Sequence, residues 1–212
     1  MTPYRQRAHG AALVTMLFLM LAVLMMSVSG TRASLAAVKS ARVERDRHVA
    51  HQAAEAALRD AERDIAGAAG PASPRTAIFV AADAGAFIAA CAGSGEHAGL
   101  CRPVPPPGIP AWQAFDLAGP GSVEYGRFTG AAMPVGAGLL PAEAPRYIVE
   151  LLAGADPVYR ITAIGFGASA STRVVLQSYY RRASTTPGAA MPAKRLGWRE
   201  IANWAELHAA TL

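Results

Sequence analysis

From Ala11 through Thr31 the chain carries no charged side chain, and Leu, Met, Val, Ala and Phe make up most of the run. A helix of about 20 residues is roughly 30 Å long, enough to cross the hydrocarbon core of a bilayer. Residues 11–31 therefore read as a transmembrane helix. Arg5, Arg7 and His9 precede it and no acidic residue occurs before Glu44, so the positive-inside bias holds the N-terminus in the cytoplasm and sends the remainder outward.

The junction before the run is more specific than the run itself. A secretory leader is cut after its apolar stretch; here Arg7-Ala8-His9-Gly10 sets basic residues and a glycine directly in front of it. Cutting after Gly10 leaves the apolar helix on the mature chain. This arrangement resembles the class III leader of type IV pilins, where a prepilin peptidase on the cytoplasmic side cleaves after glycine and methylates the new N-terminus. The resemblance implies a leader over 1–10, cleavage between Gly10 and Ala11, and N-methylation of Ala11. An ordinary signal anchor is the other reading of the junction.

Beyond the span no proline interrupts Arg32 to Ile65, and Ala, Arg, Glu and Leu dominate, so one helix is expected from Ala11 to about Ala66. Gly30 is its weak point, and Gly67, Gly70, Pro71 and Pro74 stop it. The outer half, 32–66, has two zones. Lys39, Arg42, Glu44, Arg45, Asp46, Arg47 and His48 fall all round the helix and call for water or lipid headgroups. Further on, Ala50, Ala54, Ala57, Leu58, Ala61 and Ile65 recur at steps of three and four, with Glu55, Arg59, Glu62 and Arg63 opposite. Such an alanine stripe lets a sheet approach closely. His48, His51 and Glu55 share one side, but arginines crowd them and the H-E-x-x-H spacing is absent, so no metal is expected; Glu55 and Arg59 read as an i,i+4 ion pair.

The middle, Gly67 to Pro145, is rich in Gly, Pro and Ala and reads as largely irregular, with Thr76–Ala82 a possible strand, Gly85–Ala90 a possible helix and Val123–Thr129 a possible strand. The β signal comes late. Arg146–Leu152, Val158–Phe166 and Thr172–Arg181 are proline-free, rich in Val, Ile, Thr, Tyr and Leu, and separated by Gly154-Ala155-Asp156-Pro157 and Gly167-Ala168-Ser169. Three antiparallel strands follow, with Tyr159, Ile161 and Ala163 alternating with Arg160, Thr162 and Ile164 so that one face can lie on the helix. The fold class is α+β: a long N-terminal transmembrane and amphipathic helix packed on an antiparallel sheet, with 67–212 as a globular head.

Cys91 and Cys101 lie in a segment placed outside the cytoplasm, where thiols oxidise, so a disulfide is expected. The 212 residues carry a formal charge of +5, but the Lys and Arg are scattered, which argues against nucleic acid. Gly165-Phe166-Gly167-Ala168-Ser169-Ala170 scans as G-x-G-x-x-A, yet a strand follows where a dinucleotide site needs a helix. It reads as a hairpin loop. No G-x-S-x-G, Walker loop or C-x-x-C occurs, and no cofactor is expected.

Gly10-Ala11-Ala12-Leu13-Val14, the segment from Ala50-His51-Gln52 to Ala61-Glu62, Gly99-Leu100-Cys101, Tyr159 to Gly165 and Val174 to Arg182 together resemble the PilX family of type IV pilus minor pilins. In that family the late strands end the sheet before a tail, here Arg195-Leu196-Gly197-Trp198-Arg199-Glu200. The resemblance implies a type IV pilin-like fold and a non-enzymatic protein of the inner membrane, single-pass with its head in the periplasm, that later enters the surface fibre. It implies the prepilin peptidase, the inner-membrane assembly platform, other minor pilins and the major pilin as partners, a role in priming assembly at or near the tip, and packing of Leu13, Thr15 and Leu17 against neighbouring subunits. Thr15 departs from the major pilins, which carry glutamate at this place to pair with a neighbouring subunit's amine. A type II secretion pseudopilin, whose tip subunit lacks that glutamate, a tip adhesin and a membrane-anchored enzyme are the alternatives.

Overall fold

The computed structural model describes residues 11–154, 157–183 and 191–211; residues 1–10, the expected leader with Gly10, the Ala155-Asp156 pair of one expected turn and 184–190 lie outside the described residues. The first helix, α1, runs from Ala11 to Ala66 and passes unbroken through Gly30. It ends where Gly67 turns to φ 101°, a conformation that costs glycine little. There Gly67 N donates to Asp64 O and Ala68 N to Arg63 O, both at 3.0 Å, closing two of the helix's orphan carbonyls. The chain divides into two compact units, Met1–Arg45 and Asp46–Leu212. In the first, every side chain from 12 to 29 is exposed.

The second unit holds the core. Ala50, Ala54, Ala57, Leu58, Ala61 and Ile65 are all fully buried, as their spacing predicts, and pack with Tyr147, Val149, Tyr159, Ile161, Ala163 and Leu176. The short helix α2, Pro74–Ala81, replaces the strand expected at Thr76–Ala82. Ser73 caps it by accepting from Arg75 N, and Pro74 occupies the first turn, where a missing N–H costs nothing. Local capping outweighs the β-branched content of Thr76, Ile78 and Val80. The helix expected at Gly85–Ala90 is also absent. Two 3-10 turns, Ala84–Ala86 and Ala89–Cys91, flank an extended Phe87 and Ile88. Ile88 is held extended because its N–H donates to Leu100 O and its carbonyl accepts from Arg102 N, at 3.0 and 2.9 Å.

Strand β1, Leu100–Cys101, helix α3, Ala111–Ala114, and strand β2, Val123–Glu124, complete the middle. The strand expected at Val123–Thr129 stops after Glu124, since Gly126 takes φ 81° and gives its N–H to the Asp60 carboxylate at 2.7 Å. The late strands fall as read: β3, Arg146–Leu152, β4, Val158–Phe166, and β5, Arg173–Arg181. The segment read as a tail is a sixth strand, β6, Lys194–Glu200, paired antiparallel to β5. Helix α4, Trp204–Ala209, follows. Strand order is β1-β3-β4-β5-β6, with β2 also on β3; β1 is parallel to β3 and the other pairs are antiparallel.

Both sheet faces are covered. On the helix side Gly165 sits so close to α1 that a Cβ would stand 2.2 Å from Ala50 O and 2.3 Å from Ala54 N, so only glycine fits. On the opposite side Ile148, Ile164, Val175 and Phe166 meet Trp112, Leu117, Ile201 and Trp204. Trp204 Nε1 donates to Trp112 O at 3.0 Å, tying α4 to α3.

Candidate functional site

Three places bear on function: the apolar half of α1, the sealed centre of the head, and the disulfide loop. In the first, Leu13 and Leu17 are 74% and 67% exposed. Met16, Leu19, Met20, Val23 and Leu24 outline a shallow apolar hollow on the same segment. Thr15 Oγ1 donates to Ala12 O at 2.9 Å, so the hydroxyl is satisfied within the helix and places no charge among the apolar side chains. The helix begins at Ala11, whereas Gly10 on the other side of the expected cut lies outside the described residues.

The centre of the head is a polar cluster that the sequence reading did not single out. Arg75 of α2 is fully buried, with Nη2 2.8 Å from Asp64 Oδ2 of α1 and Nε within 3.3 Å of both carboxylate oxygens. Its Nη1 donates to Glu96 O at 2.5 Å and Ala98 O at 2.9 Å. The guanidinium carbon lies 4.1 Å from the Phe128 ring centre and 5.1 Å from that of Phe79. Tyr147 of β3 donates its hydroxyl to Asp64 at 3.1 Å. One turn earlier, Asp60 accepts from Gly126 N, from Thr129 Oγ1 and from Arg63. Burial outweighs the nearby Arg75 and holds the Asp64 carboxyl above the usual carboxylate range; burial, then Asp64, pushes the Tyr147 phenol well above its own. Every side chain of the Arg75, Asp64 and Tyr147 trio is shut off from solvent, so its chemistry is that of a clamp between α1, α2, β3 and two loops. The sequence held one signal for it: Asp60 and Asp64 fall on the alanine stripe, one helical turn apart.

A second buried pair stands on β3 and β4, where Arg160 gives Nε and Nη2 to the two oxygens of Glu150 at 2.7 and 2.6 Å. Burial again lifts the carboxyl, here Glu150, against its arginine. Tyr159, donating to Phe79 O at 3.0 Å, is pushed up to about 12 by burial.

Cys91 and Cys101 form the expected disulfide, which ties the turn after Ile88 to β1. His97, inside that loop, places Nδ1 3.1 Å from Ala86 O. The residues weighed as a metal triad go elsewhere: His51 meets the Trp198 ring edge-on at 6.1 Å, and Glu55 takes Arg59 at 3.2 Å and Arg195 at 2.9 Å. Among the described residues no group of three or more His, Cys, Asp or Glu converges as for a metal ion. Gly165 to Ala170 leads into the β4–β5 hairpin, with Gly167 N donating to Thr172 O at 2.8 Å.

An N-terminal helix apolar enough to cross a membrane, continuing into a helix laid on a mostly antiparallel sheet, defines the type IV pilin-like class. Two family models match: PilX N-terminal over residues 9–59, and type IV pilus assembly protein PilX C-term over residues 97–182. Together they span more than half of the chain, which belongs to the PilX family of type IV pilus assembly proteins. No curated protein and no solved structure matches the chain.

Proposed function

We propose that the chain is a minor pilin that primes assembly of the type IV pilus and sits at or near its tip, without enzymatic activity. The observation that carries this reading is the bare apolar segment 12–29 joined, in one helix, to the part of α1 built into the head. A segment apolar all round and left bare by the described residues suits lipid first and the apolar helices of other subunits afterwards. In this reading 1–10 is the leader, 11–31 spans the inner membrane with the N-terminus cytoplasmic, 32–66 is the outer half of the helix and 67–212 is the periplasmic head. The prepilin peptidase cuts after Gly10 and methylates Ala11, and the assembly platform, the major pilin and other minor pilins are the partners. Membership in a pilus assembly family favours the pilus over a secretion machine.

Thr15 supports the place in the fibre. A carboxylate within lipid is costly unless paired, so a subunit with a neutral residue there cannot offer the ionic contact to a neighbour's amine, while Ala11, Leu13 and Leu17 can still pack. Such a subunit starts fibres and does not fill shafts. Deletion should cut the number of surface pili sharply, and quantitative proteomics of sheared pili should find the chain at low copy; an abundance comparable to the major subunit would overturn the tip assignment. Gly10→Leu should leave the leader attached, and an intact mass beginning at Ala11 would refute the cleavage site.

A further inference from the structure

The two edges of the head's sheet are built differently. One side ends on β1 and β2, each only two residues long, so little unpaired backbone is offered there. The other ends on β6, seven residues without a proline, which among the described residues pairs with β5 alone. On this edge Trp198 is 56% exposed and Leu196 48%, although both belong to residue types that usually hide in a head of this size. A bulge between the partners of Tyr179 and Tyr180 frees Leu196 from the ladder, and Gly197 has open space where a side chain would stand.

The charges on β6 say what kind of chain fits. Arg195 is taken up by Glu55 and Glu62, and Glu200 by Arg47, all within the head. Lys194 and Arg199 are exposed at the two ends of the strand and, among the described residues, have no carboxylate within 4.0 Å. Arg199 gives Nε and Nη2 to Gln177 Oε1 at 3.1 and 2.9 Å and lies 5.8 Å from the Trp112 ring centre, contacts that hold the guanidinium without a counter-charge. A second copy of this edge has no carboxylate to spare for Lys194 and Arg199, because its one acidic residue, Glu200, is held by Arg47.

We propose that the outer edge of β6 is the docking site for an extended, carboxylate-bearing strand from the head of a different pilus subunit. The incoming backbone extends the sheet, Trp198 is the apolar anchor, and Lys194 and Arg199 select acidic side chains at either end. The inference rests on the reading of the chain as a pilus subunit. To test it, the full chain is expressed in pilus-assembling cells with benzoylphenylalanine at position 198 and, as an exposed control on α2, at Val80. Light should join position 198, and not position 80, to an Asp- or Glu-bearing extended segment of another subunit. Crosslinks to a second copy, to a helix, equally from both positions, or none at all, overturn the proposal. Trp198→Ala and Lys194→Glu should each lower co-isolation of that subunit by about tenfold, the Lys194→Glu effect shrinking at high salt. Unchanged co-isolation in both overturns the proposal as well. If deleting the chain leaves piliation intact, the pilus reading itself fails and takes the edge with it. If deletion abolishes pili while both variants remain fully piliated, only the edge is wrong.

Discussion

The two halves of α1 use apolar residues in opposite ways. From 12 to 29 the helix carries Leu, Met, Val and Phe on every side and all of them are exposed, whereas from 50 to 65 it carries mainly alanine along one stripe that is completely buried. Among the described residues nothing covers the greasier half. Large side chains all round a helix cannot be satisfied by one sheet and need a surrounding medium, lipid or other helices. Small side chains on a single stripe do little as hydrophobes but bring backbones together, as Gly165 against Ala50 and Ala54 shows.

The strongest way to break the contrast is to attack the head half at its clamp. Arg75→Met leaves Asp64 buried without its cation and should cost about 3–5 kcal/mol. Arg75→Met combined with Asp64→Leu should regain part of that loss in urea unfolding of the detergent-solubilised chain; no recovery would mean that the pair is not the unit at work. Removing the disulfide by Cys91→Ser should cost about 2–3 kcal/mol, from the ten-residue separation it closes. Free thiols at both positions in protein isolated without a reductant would contradict the bond.

Small-to-large changes where α1 meets the sheet come next, set against one in the bare half of the helix. Gly165→Ala or Ala57→Leu should destabilise the head by about 1–3 kcal/mol, because neither α1 nor the sheet can yield. Ala22→Leu, in the bare half, should leave head unfolding within about 0.5 kcal/mol of the parent. Equal effects would erase the distinction.

The smallest expected effect is a pH slope. Glu150, like Asp64, has its carboxyl raised in the fold by burial. A carboxyl raised above its unfolded value takes its proton first in the native state. The stability it contributes is complete below the unfolded value, about 4, and fades as pH rises through the folded one. Melting curves of the parent and Glu150→Gln across the window just above pH 4 should therefore converge or cross with a parent slope that is more negative. A parent slope more positive than the variant's would mean that Arg160 outweighs burial.

Truncation before Thr172 would remove both β5 and β6 and expose Tyr159 and Ile161 on one face and Ile164 on the other. That truncation should aggregate, and a soluble product with full strand content would refute the sheet.

Much was legible in one dimension. The absence of charge from Ala11 to Thr31, the stripe from Ala50 to Ile65 and the alternating β-branched runs from Arg146 to Arg181 each repeat a local rule often enough to define their element, because helix and strand periods are properties of the backbone. Cys91 and Cys101 were readable as a pair because no other cysteine competes. What only the tertiary structure decided depends on contacts between distant residues. Arg75 looks like any surface arginine until Asp64, eleven residues away, and Tyr147 close round it. Ile88 and Phe87 are extended because Leu100 and Arg102 hold them so, and Lys194–Glu200 becomes a strand because β5 offers it an edge. A local period announces itself in the order of residues. The burial of a charge or the recruitment of an edge strand is settled by desolvation and hydrogen bonding among partners that the chain brings together only when folded.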